Sequence, residues 1–446
     1  MCSMMEASNM SELDVRSEAE RAEETEGYRS LRLLVYFLFA MGPLVGNAVL
    51  ALLGAIATDF AVDPTAVLIA IPAFMLPFAS IQLFSGAMSD IYGRVRVMLV
   101  GLGAFAAGLL VTANATSLII LVLGNVLSGT GFGFVNPVVL ALLSDLSAPE
   151  DIPRRMGIAS ALASLSAGLG PFLAGQMASL RWQSYYLLFL IVVVIGLIAM
   201  SVANHPARRM HGDSELHMLI VNLGTELRKP VVLLMLGTTF LVALTYLGAL
   251  VWTARALTGA LDEYLIGLVL LWGGVAGATA GSLLGRMIRR WGFGRPIVLG
   301  LLSNFIGLSI LMLVGNNTLI SALPLVVLGL AAVGWAGGVL YPMTITFGQI
   351  ISPTRRGVLA GAVTSSFFFG SALILTLYEP LFEVGIGAVY AGMLVVSAIL
   401  ALLYYILYRR LRFVYHETMS GRDPSAPSFE RQSSIRDRSE MLDMEQ

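Results

Sequence analysis

Runs of about eighteen or more apolar residues recur along this chain, and no other feature limits its fold so severely. They lie at Leu31–Ala55, Thr65–Ser85, Val97–Ala113, Leu118–Leu143, Gly157–Ala178 and Tyr185–Ala203, then at Val231–Ala254, Leu265–Gly285, Pro296–Val314, Ile320–Tyr341, Val358–Leu377 and Ile386–Tyr408. Each can cross about 30 Å of hydrocarbon as a helix. In lipid, backbone polar groups must be satisfied within the segment or around a closed barrel, and the alternating strands of about ten residues that a barrel needs are absent. The expected fold is an all-α membrane protein with twelve transmembrane helices in two pseudo-symmetric six-helix bundles.

Composition removes other classes. The chain is 57% hydrophobic and 12% charged, which leaves almost nothing for a soluble domain or a soluble enzyme. One cysteine, Cys2, and four histidines cannot build a disulfide framework, a zinc site or thiol chemistry, so no metal or cofactor is expected. The basic residues sit in short loops between spans, not on one domain face, which excludes nucleic acid as a partner. No Gly-x-x-x-x-Gly-Lys loop is present to serve an ATP-driven pump. The first thirty residues contain Glu18, Glu20, Glu23, Glu24 and Glu26 and do not resemble a cleaved signal peptide, so the first span is the expected insertion signal.

Arginine placement sets an expected orientation. With the N-terminus inside, the inside loops contain Arg94, Arg96, Arg154, Arg155, Arg208, Arg209, Arg228, Lys229, Arg286 through Arg295, Arg355 and Arg356. The outside loops contain only Arg181 and Arg255, with Asp59, Asp63, Asp262, Glu263, Glu379 and Glu383. Both termini are therefore expected in the cytoplasm, with the chain in a cell membrane of the bacterial inner-membrane type. Residues 1–30 and 413–446 read as disordered cytoplasmic tails. The polar stretch 204–230 reads as a central cytoplasmic loop between bundles at 31–203 and 231–412. The halves repeat at an offset of about two hundred residues, with Ser166 and Gly170 matched by Ser366 and Gly370, as expected of parallel repeats around a midplane site.

Between the second and third runs lies Gly86-Ala-Met-Ser-Asp90-Ile-Tyr-Gly93-Arg94-Val-Arg96. Gly86 allows a close helix approach. Asp90 can accept from Arg94 and can face a helix N-terminus. Gly93 permits a tight reversal, and Arg94 and Arg96 hold the inside face. These residues resemble the signature loop between helices 2 and 3 of the major facilitator superfamily, departing from it at Ile91 and Val95, where that family usually has basic residues. The resemblance implies a cytoplasmic gate at Gly86, Asp90, Gly93, Arg94 and Arg96.

Gly157, Gly170, Pro171 and Gly175 resemble the helix 5 run shared by antiporters of that superfamily, with Ser166 and Ala174 where glycine is usual. Over residues 30–412 the chain is similar to the drug–proton antiporter branch. Leu121 to Gly131 resembles the family's helix 4 pattern, but Asn125 stands where the pattern has a buried arginine. No Asp, Glu, Lys or His lies near the middle of any span, which favours a neutral, apolar-bodied solute. Asn47, Gln82, Asn125, Asn136, Tyr246, Trp335 and Phe367 are the candidates for lining a cavity at mid-span depth.

The resemblance implies a monomeric secondary transporter exporting a small, neutral or lipophilic solute by alternating access in exchange for protons, with lipid as its other partner. An importer or facilitator without proton coupling is the alternative, favoured by Asn125. A non-transporting membrane sensor on the same fold is a second.

Overall fold

A computed structural model describes residues 2–147, 152–203, 224–315, 320–351 and 356–419. Among the described residues the structure is helical throughout, apart from turns and one isolated bridge between Thr258 and Leu261. The first group of helices is α1 (Cys2–Phe60), α2 (Ala70–Tyr92), α3 (Arg94–Ala113), α4 (Leu118–Asp145), α5 (Ile152–Ala178) and α6 (Trp182–Val202). The second is α7 (Pro230–Leu257), α8 (Glu263–Trp291), α9 (Gly294–Gly315), α10 (Leu323–Ile351), α11 (Arg356–Ala372), α12 (Ile374–Val384) and α13 (Ile386–Met419). They supply twelve membrane-length spans, α11 and α12 being two parts of one.

Most helices overrun the apolar runs that mark them. α8, for example, continues from Gly285 to Trp291 through Arg286, Arg289 and Arg290. Hydropathy detects only the length that must avoid water, whereas the hydrogen-bonded helix can continue into the headgroup layer. α1 also begins at Cys2, so residues 2–30 of the expected tail are helical; their Glu, Ala and Arg content carries high helix propensity. Most of the expected loop at 204–230 and tail at 413–446 lies outside the described residues.

The packing repeats within the chain. α1 packs on α4, α5 and α6, while α4 also packs on α2 and α3, and α3 on α6. In the second group α7 packs on α10, α11 and α13, while α10 also packs on α8 and α9, and α9 on α13. Each helix therefore finds the partners of its counterpart in the other half. Small residues make the crossings close, as expected where lipid gives no hydrophobic drive to helix association. A Cβ on Gly129 would lie 2.1 Å from the Phe74 carbonyl oxygen, and one on Gly334 2.1 Å from that of Gly273. Gly170 lies close on the Leu44 carbonyl oxygen, and Gly370, less tightly, on that of Phe240, 2.6 Å from where its Cβ would stand. Large apolar side chains such as Val202, Leu313 and Val384 project outward, as a lipid-facing surface requires.

Candidate functional site

The halves meet along two extensive seams, α5 against α8 and α2 against α11. The α5–α8 seam changes along its length, and its glycines measure the change. At the face carrying Asp63 and Glu263, a Cβ on Gly175 would lie 2.2 Å from the Glu263 carbonyl oxygen. One on Gly267 would lie 2.6 Å from the Pro171 carbonyl oxygen, and one on Gly168 would lie 2.9 Å from Cα of Gly274. Further along, a Cβ on Gly277 would find Ser164 only at 3.6 Å. At Gly157, Gly281 and Gly285 nothing of the opposite half lies within 4 Å among the described residues. The seam is shut at the acidic face and parted at the arginine-rich face.

Polar links close the same acidic end. Arg255, near the end of α7, donates from Nε to Thr65 Oγ1 at 2.7 Å, and its Nη2 lies 3.3 Å from Asp63 Oδ1. Its guanidinium also covers the Phe382 ring at 5.2 Å. Hydrogen bonds from the Thr65 hydroxyl and amide, with Arg255 nearby, hold the Asp63 carboxyl below its ordinary value of 3.8. Asp59, also at this face, accepts from Trp182 Nε1 at 2.9 Å and Gln183 Nε2 at 3.0 Å.

At the arginine-rich face the expected gate residues gather within one half. Gly93 has φ 95°, a conformation suited to glycine, between α2 and α3. Arg94, little exposed, pairs with Asp90 at 3.3 Å and with Asp145 at the end of α4. Asp145 is the member of this cluster that sequence reasoning did not include. Arg96 is exposed, and the nearest group to a Cβ on Gly86 is Pro137, in the same half, at 4.0 Å.

The helix 5 residues divide between the two ends of the seam. Gly170 lies against α1, and Pro171 and Gly175 lie against α8, whereas Gly157 is exposed. Gly168, Gly267 and Gly274 belong to the same contact and were missed. The four-residue spacing of Gly273, Gly277, Gly281 and Gly285 marks a neighbouring face of α8, whose first two members lie under Gly334 and Gly338 of α10.

The cavity candidates also separate. Asn47 Nδ2 donates to the Pro43 carbonyl at 3.0 Å and Asn125 Nδ2 to the Leu121 carbonyl at 2.9 Å, each in its own helix. Tyr246 is buried under Gly337, two residues from the partly exposed Trp335. Gln82 and Asn136 come together, with Asn136 Nδ2 donating to Gln82 Oε1 at 3.4 Å. Phe367 belongs to an aromatic chain that crosses the α2–α11 seam. Tyr341 and Phe367 are 4.3 Å apart, Phe367 and Phe368 5.4 Å, Phe368 and Phe78 4.4 Å, and Phe78 and Phe132 5.3 Å between centroids. Phe78, Phe132 and Phe368 were not singled out beforehand, since aromatic residues in apolar runs carry no mark of which face they occupy. The arrangement is an aromatic, uncharged environment with a few amide and hydroxyl groups.

A profile described as Major Facilitator Superfamily matches residues 33–375. A methylenomycin A resistance protein of Bacillus subtilis is 34% identical over 143 residues, which are 32% of this chain and 30% of that protein. A triacylglyceride transporter of Mycolicibacterium smegmatis is 32% identical over 149 residues, covering 32% of this chain and 26% of that one. The alignments thus span less than a third of the length of these relatives. Among solved structures, a mutant of the nucleoside transporter NupG is similar in fold, with a TM-score of 0.68 at 12% identity, over 85% of this chain and 100% of that one.

Proposed function

The chain belongs to the Major Facilitator Superfamily, and from that premise we propose that it exports a small, neutral or lipophilic solute by alternating access, in exchange for protons. It is a multi-pass membrane transporter, not an enzyme. One observation carries the mechanism: the α5–α8 seam is shut at the acidic face and parted at the arginine-rich face. A pair of halves that touch at one end only can rock about the shared middle. With the arginine-rich face in the cytoplasm, by the positive-inside rule, this is the inward-facing state. The Asp90–Arg94–Asp145 cluster is then the cytoplasmic latch, which engages the second half when the inner ends approach.

A neutral cargo is supported by the absence of Asp, Glu, Lys, Arg and His from the middle of every span. The resistance protein and the triacylglyceride transporter bear names that fit an apolar-bodied cargo. Export is supported by the small residues of the helix 5 run at the shut end of the seam. One observation favours a facilitator without proton coupling: Asn125, at the position of the family's arginine, donates to its own helix. The acids nearest the membrane, Asp59, Asp145, Glu379 and Glu383, stand at span ends.

Proteoliposomes with an acidic lumen test this reading, using a panel of neutral lipophilic solutes that includes progesterone. Antiport predicts uptake driven by the outward proton gradient and abolished by a protonophore. Uptake indifferent to the gradient assigns the facilitator, and no uptake of any solute removes the export reading.

A further inference from the structure

We propose that the Gln82–Asn136 pair is the polar docking point for the cargo and that it selects neutral solutes carrying a hydrogen-bond acceptor oxygen, such as a ketone or ester, on an apolar body. The inference rests on the transport reading above and deepens it.

Gln82 is 3% exposed, yet its Nε2 has no hydrogen-bond partner among the described residues. Its Oε1 is taken by Asn136, itself buried. A buried amide donor left unmet is uncommon in folded proteins and calls for a reason. Its surroundings supply one. Phe78 lies one helical turn away on α2, in contact with Phe368 of the other half and with Phe132 of α4. Gly361 of α11 stands opposite, and a Cβ there would lie 3.9 Å from the Gln82 carbonyl oxygen. Gln82 therefore sits at the α2–α11 seam, one helical turn from the aromatic contact that joins the two halves.

The internal repeat shows that helix packing does not demand this pair. Gly129 on Phe74 corresponds to Gly334 on Gly273, and Gly133 beside Phe78 corresponds to Gly338 on Gly277. The same register places Gln82 opposite Gly281, and Asn136 and Pro137 opposite Tyr341 and Pro342. The second half makes its crossings with glycine where the first carries the amide. The α2–α4 crossing has its own hydrogen bond, from Ser85 Oγ to the Gly133 carbonyl at 2.7 Å. With Asn136 occupying its acceptor, Gln82 has a donor to offer. No charged residue stands near either amide in the sequence to select a cation or an anion.

The test measures binding to purified full-length protein in lipid nanodiscs, using tritiated progesterone, with its hydrocarbon skeleton pregnane and the cation tetraphenylphosphonium as competitors. Wild type is expected to bind progesterone at least tenfold more tightly than pregnane. Gln82→Met should abolish that preference, weakening progesterone about tenfold and leaving pregnane unchanged. Asn136→Ala, which removes the group that orients Gln82, should weaken progesterone about threefold, and it carries the test if Gln82→Met fails to fold. Equal losses for both steroids in the variants, or no preference in wild type, overturn the proposal. So does preferred binding of tetraphenylphosphonium. If proteoliposomes export other solutes while progesterone is not bound, this inference fails and the export reading stands. If Gln82-dependent binding is found without transport of any solute, the export reading fails and the docking site stands.

Discussion

The two ends of the α5–α8 seam are built from the same kinds of residue on the same two helices, yet one is shut and the other parted. At the acidic face, Gly168, Gly175, Gly267 and Gly274 bring backbone onto backbone, and Arg255 ties the halves through Thr65 and Asp63. At the arginine-rich face, Gly157, Gly281 and Gly285 meet nothing across the gap, and Arg94 finds carboxylates on α2 and α4 of its own half. A small residue therefore permits a close approach without enforcing it. On the rocking reading proposed above, the difference between the ends is one of state, and the glycines let each end adopt both.

Substitution at the shut end should break this contrast most severely. Gly168→Leu places a side chain where the backbone of Gly274 already stands, and backbone cannot swing aside. A loss of about 2–3 kcal/mol in stability is expected, read by thermal unfolding, together with a longer spin-label distance across the acidic face. Gly157→Leu, on the same helix but over open space, should alter stability by less than about 0.5 kcal/mol in this state. Equal effects at the two positions would remove the contrast.

A smaller effect is expected from Arg94→Ala. It leaves Asp90 and Asp145 without the cation between them, and about 1–2 kcal/mol should be lost. Because both carboxylates described against Arg94 belong to its own half, the spin-label distance across the acidic face should not change in the inward-facing state. If the cluster is also the latch of the opposite state, the variant should populate that state less. A distance distribution identical to wild type under every condition argues against a latch.

Smallest is the outer tie. Asp63 is largely exposed, so Asp63→Asn should weaken closure of the acidic face by about 1 kcal/mol or less. The depressed carboxyl sets the pH dependence. The tie contributes fully above the ordinary carboxylate value of 3.8 and is lost only as pH falls through the lower value in the closed state. The loss of closure caused by Asp63→Asn, measured by labelling of a cysteine introduced behind Arg255, should therefore be the same throughout about pH 5 to pH 8. A marked pH dependence in that window would point to another titrating group.

Much of this was legible in the chain. The apolar runs gave twelve spans, and the Gly86–Arg96 loop pointed to a family that the profile match then supported. The two-hundred-residue offset seen in Gly170 and Gly370 reappears as equivalent contacts on Leu44 and Phe240. The candidate site was legible only in part. Gln82, Asn136 and Phe367 were selected as polar or aromatic residues at depth, but so were Asn47 and Asn125, whose amides turn to their own helices. Residue type reports what a side chain can do, not which of several helix faces meets a neighbour. Arg255 was, with Arg181, one of two exceptions to the charge bias, and its tie joins the last turn of α7 to Asp63, which is distant in the chain.

The sequence by itself determined the number of spans, the charge asymmetry of the two faces and the repeat, because each depends on local transfer energies and on residue order. Tertiary structure alone decided which end of the seam is shut, which amides meet, and which glycines lie against backbone. Those outcomes depend on how two six-helix halves rest on one another, through contacts between residues far apart in the chain.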